Sequence, residues 1–119
     1  MTTTETTKLT AIDILEAARE LIAEPEHWLQ GDVRARADNR PVGPNHPLAN
    51  KFTLTAAIER VTSPLDGQAI NKAVHALFIA MQTLDGAARA FSDYNNTHTH
   101  AEILRLLAAA IVELKEQAQ

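Results

Sequence analysis

The sequence contains no cysteine. A disulfide framework, a thiolate nucleophile and a cysteine-ligated zinc or iron–sulfur centre are therefore excluded, and a reducing, cytoplasmic location is the expectation. Aromatic residues make up only 4% of the chain, so its apolar fraction of 45% is carried mainly by Ala, Leu and Ile. That bias favours helix over sheet. Long hydrophobic runs are missing too: no stretch approaches the roughly 18 consecutive apolar residues that a membrane span needs. Met1 to Thr7 are Thr-rich and lack the basic start and apolar middle of a secretory signal. There is no excess of positive charge either. The net charge is -4, so nothing in the overall balance attracts a phosphate backbone, and nucleic acid is not expected as a partner.

What the chain does contain is helical patterning. Its 119 residues have room for one core. We expect an unstructured tail over residues 1–9 and a single helical domain over residues 10–119. Thr10 and Asp13 have the spacing of a capping box, followed by an apolar stripe of Ala11, Ile14, Leu15, Ala18 and Ile22, which Pro25 ends. A second helix is expected from Asn45-His46-Pro47, burying Leu48, Phe52, Ile58 and Val61. Ser63-Pro64-Leu65-Asp66 predicts the start of a third, carrying Ile70, Val74, Leu77, Met81 and Leu84 to a stop at Asp85-Gly86. Phe78 and Ile79 widen its stripe, which predicts the most buried helix of the set. Ser92 to Thr97 reads as a loop, and Thr99 with Glu102 caps a last helix that turns Leu104, Leu107, Ala108, Ile111 and Leu114 inward. The predicted fold is all-α: a compact bundle of four main helices with a long irregular loop between the first two.

That loop, Gly31 to His46, is long for a compact domain, and such loops tend to be functional or flexible. It carries Arg34, Arg36 and Arg40 against Asp32 and Asp38, while Met1 to Gln30 holds six acids and two bases. An Arg-bearing segment beside an acidic helix could meet an acidic partner, although a solvated loop is its plainer explanation.

No Gly-rich phosphate loop, serine elbow or dinucleotide fingerprint is present, and no catalytic residues are assigned. Asp93, His98 and His100 are the candidate metal ligands, since imidazole and carboxylate bind several transition metals. Their spacing is weak support, because residues two apart at a helix start do not share a face. Solvated histidines and an Asp that accepts backbone N–H bonds in a turn are the competing explanation. His75 beside the third stripe reads as a core-edge histidine, and His27 and His46 have no partner legible in the sequence.

Trp28-Leu29-Gln30-Gly31, the Pro41-to-Pro47 loop and Phe91-Ser92-Asp93 followed by Thr97 to Leu107 carry a resemblance. From about Ile14 to Leu114 the chain resembles a family of small actinobacterial and phage proteins, a domain of unknown function. The family pattern has a Trp-x-Gln-Gly motif, a Trp-Cys-x-x-Gly-Ala helix and a Phe-Asn-Asp segment. Here Phe52, Thr53, Ala56 and Ala57 stand where Trp, Cys, Gly and Ala would be, and Ser92 replaces the Asn. The resemblance implies a helical fold and a bacterial or phage origin. It implies no chemistry.

With no catalytic set legible, the leading functional expectation is a non-catalytic interaction or regulatory module. It would contact an unknown protein, or a second copy of itself, through Trp28, Gln30, Arg34, Arg36 and Arg40. The alternatives are a phage-encoded inhibitor of a host or competing-phage enzyme, and a metal-binding protein or enzyme built on Asp93, His98 and His100. No cofactor is expected. Trp28, the only tryptophan, is predicted to anchor the start of the long loop, with Gly31 permitting a sharp turn and Gln30 bonding exposed loop backbone.

Overall fold

The first helix, α1 (Ala11–Leu21), begins where the sequence places it. In the computed structural model, which describes residues 9–31, 35–38, 40–63, 66–87 and 89–117, the Thr10 hydroxyl accepts the Asp13 N–H at 3.1 Å. The Asp13 carboxylate accepts the Thr10 N–H in return, at 3.0 Å. Two of the orphan donors of the first turn are thereby satisfied. The same device opens the last helix, α5 (His100–Gln117): Thr99 and Glu102 exchange side-chain and backbone bonds of 3.2 and 2.8 Å.

Between them lie α2 (Leu54–Val61), α3 (Gly67–Asp85) and the short α4 (Phe91–Thr97). α1 is the hub, packed against α2, α3 and α5, while α5 also lies along α3. Ile14, Leu15, Ala18 and Ile22 meet Leu54, Leu77, Met81, Ile103, Leu106 and Leu107 in one core. α3 contributes mostly small side chains to it, Ala73, Ala76 and Ala80, which let its neighbours approach closely. Phe78 and Ile79 are half-exposed, so α3 is not the buried centre that its broad apolar stripe predicts.

The four-helix bundle with an irregular loop is overturned: the described residues form five α-helices and a three-stranded antiparallel sheet. The connection after the first helix folds into β1 (Ala35–Ala37) and β2 (Arg40–Val42), and β3 (Lys51–Phe52) joins them in the order β2-β1-β3. Ala35 and Ala37 face the core, and Asp38 turns the chain at φ 51. Three-residue strands of small residues have too short an alternation to stand out in a sequence, and tertiary burial, not propensity, forms them.

The second helix does not start at Pro47. Leu48 is 62% exposed, Phe52 lies in β3, and the cap is the Thr53 hydroxyl, which accepts the Ala56 N–H at 3.2 Å. Before α3, the Asp66 carboxylate accepts the Ser63 N–H at 2.9 Å, so Asp66 rather than Ser63 supplies the side-chain acceptor. Pro64 and Leu65 lie outside the described residues. The segment read as a loop over Ser92 to Thr97 is helical because Tyr94 and Asn95 are buried against the other elements. Of the tail expected over residues 1–9, only Leu9 is described; its N–H donates to the Asp66 carboxylate at 3.2 Å. Among the described residues, no helix is long and apolar enough to cross a membrane.

Gly86 ends α3 at φ 82, its N–H donating to the Gln82 carbonyl at 2.9 Å. A Cβ there would touch nothing within 4 Å, so the cost of Gly86→Ala is the left-handed backbone alone. We expect a loss of about 1 kcal/mol, read as a lower thermal midpoint with unchanged helix content by circular dichroism.

Candidate functional site

Two chain segments far apart in sequence, Trp28 to Gly31 and Asn95 to His98, meet in space. A single helical turn over Pro25–His27 directs the chain so that Trp28 bridges to Phe52, beside β3. Leu29 donates its N–H to the Phe52 carbonyl at 2.9 Å. Trp28 is half-buried against the core, and its ring N–H donates to Oδ1 of Asn95 at 2.8 Å.

Asn95 is the centre of this arrangement and is only 1% exposed. Its Oδ1 also accepts the Leu54 N–H at 3.1 Å, at the first turn of α2. Its amide nitrogen donates to the Leu29 carbonyl at 2.9 Å and more weakly to Asn96 Oδ1 at 3.4 Å. One side chain thus uses both acceptor sites and both donors to tie three segments together. Gln30 adds two bonds from its amide nitrogen, to the Asn95 carbonyl at 3.1 Å and the His98 carbonyl at 2.8 Å. Those carbonyls belong to the end of α4, where helical partners run out. Gly31, at φ 120, then donates its N–H to Asn96 Oδ1 at 2.8 Å. Trp28 and Gly31 therefore act at the start of the long connection as the sequence predicts, while Gln30 bonds the end of α4 instead of the loop. Sequence reasoning missed Asn95 and Asn96, whose polar run looked like solvent-facing loop.

A second cluster secures the far end of α4. The His98 ring stacks on Tyr94 with centroids 3.7 Å apart and planes 7° from parallel. Its Nε2 lies 2.7 Å from the Asp85 carboxylate, and its Nδ1 lies 2.9 Å from the Tyr94 carbonyl and 3.0 Å from the Thr97 hydroxyl. Thr97, His98 and Asp85 stand in the order of a nucleophile, base and orienting carboxylate. The Thr97 hydroxyl, however, donates to the Asp93 carbonyl at 2.8 Å, and Nδ1 is shared with the Tyr94 carbonyl. The chain of contacts holds a helix end. Burial first, and the Asp85 carboxylate second, raise the Tyr94 phenol above its ordinary value of 10.0. Its neutral form thus adds stability that is fully present below that value and is lost as pH rises through the raised one.

Asp93, His98 and His100 are not brought together. Asp93 is 57% exposed and pairs with Arg89 at 3.6 Å. His98 faces Asp85, and His100 packs its ring 5.6 Å from that of Trp28 with Nε2 2.7 Å from the Ile22 carbonyl. Among the described residues, no group of three His, Cys, Asp or Glu side chains is placed to hold a metal ion. His75, expected at the core edge, is exposed.

Of the arginines singled out in the long connection, Arg34 lies outside the described residues, Arg36 is in β1 and Arg40 is exposed in β2. The loop from Gly43 to Asn50 is ordered by Arg60 of α2, whose guanidinium donates to the Pro44 and His46 carbonyls at 3.2 and 2.7 Å. His46 Nδ1 accepts the Leu48 N–H at 3.1 Å within it.

A model of a family of unknown function, DUF6197, matches residues 6–113, and the chain belongs to that family. No curated protein and no solved structure matches it.

Proposed function

We propose that this member of DUF6197 is a non-catalytic interaction module that presents the outer face of its small sheet to an acidic protein partner. Strand register carries the reading. β1 and β3 pair so that Arg36 stands directly opposite Lys51. Both lie on the face turned away from the buried Ala35, Ala37 and Phe52. Like charges side by side on neighbouring strands weaken a sheet by about 0.2–1 kcal/mol. Arg36 has a further interaction within the chain, whereas Lys51 has no partner among the described residues. A locally unfavourable cation pair on a protein of net charge -4 is the kind of conflict that functional surfaces retain.

The surroundings support a protein partner. Leu48 is displayed on the Arg60-held loop that links β2 to β3, and Arg40 is exposed at the start of β2. Pro41, opposite Arg36, removes a backbone donor from β2, so contact through side chains is favoured over strand addition. A bacterial or phage origin, with inhibition of a host or competing-phage enzyme as the specific role, is the narrower form of the same proposal. Neighbouring genes in an ordinary metabolic operon would speak against that form.

Lys51→Glu tests the reading because it moves stability and binding in opposite directions. The substitution turns the repulsive pair into an attractive one, and the isolated protein should gain up to about 0.5 kcal/mol. Affinity capture from the native host, followed by mass spectrometry, should nevertheless lose its salt-sensitive partner. Retention of every partner by the folded variant would sink the proposal.

A further inference from the structure

We infer that the cleft beside the Asn95 centre is a binding site for a neutral sugar. It has a volume of about 510 Å³ and lies between the first turn of α2 and α4, within the range of roughly 300–1,000 Å³ typical of small-molecule sites. Gly31, Thr53 and Thr55 line one side, and Phe91, Ser92 and Asn96 the other. Asn95 lies in its wall with every bonding position occupied, so the cleft rests on a fixed base.

The lining chooses the ligand class. Among the described residues, none that lines the cleft is ionisable. The Ser92 and Thr55 hydroxyls and the Asn96 amide nitrogen donate no bond to the protein among the described residues. Thr53, only 7% exposed, accepts from the Ala56 N–H and keeps its own hydroxyl proton available. The Thr55 N–H is a further open donor: its neighbours in the first turn, Leu54 and Ala56, are bonded to Asn95 and Thr53, and it has no partner among the described residues. Mixed hydroxyl and amide groups match a ligand whose oxygens both donate and accept, which describes sugar hydroxyls. Phe91 adds an aromatic surface for the C–H face of a ring, and its 5.0 Å contact with Phe78 supports it from outside the cleft lining. An anion is disfavoured, because among the described residues no cation lines the cleft.

Binding is read by two-dimensional NMR of the full chain titrated with D-glucose, D-galactose, D-mannose and D-ribose, with D-glucuronate as the charged control. At least one neutral sugar should shift the amide signals of Gly31, Thr55, Ser92 and Asn96 saturably. Ser92→Ala and Thr55→Val, each checked for an unchanged thermal midpoint, should weaken that sugar at least tenfold, and the two sites make the test independent of either variant's folding. The inference is overturned if no neutral sugar gives saturable shifts there, if shifts map elsewhere, if glucuronate binds and the neutral sugars do not, or if both folded variants bind like the parent. The Lys51→Glu result bears on the sheet face alone, so the two proposals fail separately.

Discussion

Asn95→Ala should destabilise the protein by about 3 kcal/mol or more, because a buried donor or acceptor that loses its partner costs about 1–3 kcal/mol. The substitution strands three groups at once: the Trp28 ring N–H, the Leu54 N–H and the Leu29 carbonyl. Leu54 is fully buried, so its N–H bears the largest penalty. Asn95 also lines the cleft, and water entering from there offsets part of the loss, which is why the sum of three full penalties is not expected. Asn95→Asp provides the control on chemistry. It preserves the acceptor for Trp28 and Leu54 but turns an oxygen toward the Leu29 carbonyl, so it should be no better than Ala. Asn96→Ala, which removes the acceptor of the Gly31 N–H and one long contact, should cost much less. Urea unfolding gives the comparison, the midpoint falling while the slope stays constant. A loss below about 1 kcal/mol for Asn95→Ala would mean that the centre is replaceable by water and does not organise the fold.

The contrast between what was legible and what was not follows from the distance along the chain over which each feature is decided. Thr10 with Asp13 and Thr99 with Glu102 form their caps across three residues, and Gly86 closes α3 through its own φ. Local chemistry suffices for those, so the sequence shows them. Asn95 meets Trp28 across 67 positions. Nothing in the run Ser92 to Thr97 distinguishes a buried Asn from a solvated one, and a helix of seven residues is too short to persist without its tertiary contacts. The sheet is hidden for the same reason: Ala35 and Ala37 are poor strand formers that become strand only because Val42 and Phe52 lie beside Ala35 and Arg40 beside Ala37. Leu48 shows the reverse error. Its spacing with Phe52 fits a helix, yet the chain around it is held in a loop by Arg60. The metal candidates fail to converge because adjacent turns send His98 to Asp85 and His100 to the Ile22 carbonyl. The bonds of Trp28, Gln30 and Gly31 to Asn95, Asn96 and His98 span 65 to 68 positions, so no local pattern shows them.

Trp28 separates structural from surface roles most sharply. Its ring is half-buried, bonded to Asn95 and packed near the His100 ring, so truncation removes apolar contact, a hydrogen bond and the support for a second aromatic group. Complete removal of a buried Trp costs about 3–5 kcal/mol, and partial exposure places Trp28→Ala at the low end, about 3 kcal/mol. Trp28→Phe keeps an aromatic ring but loses the N–H bond and a smaller part of the packing, so about 1–2 kcal/mol is expected. The ratio of the two losses measures how much of the anchor is packing. Combining Trp28→Phe with Asn95→Ala then isolates the bond: the second substitution leaves Trp28 with no acceptor, so the double variant should be more stable than the summed single losses imply. Additive losses would deny any coupling between the two side chains. If Trp28→Ala left the thermal midpoint unchanged, the ring would not be an anchor, and a half-exposed indole without a stabilising role is better explained as a contact for a partner. In that event the interaction face would extend from Lys51 past β3 to Trp28, since the Trp28–Phe52 bridge places the ring's residue beside that strand.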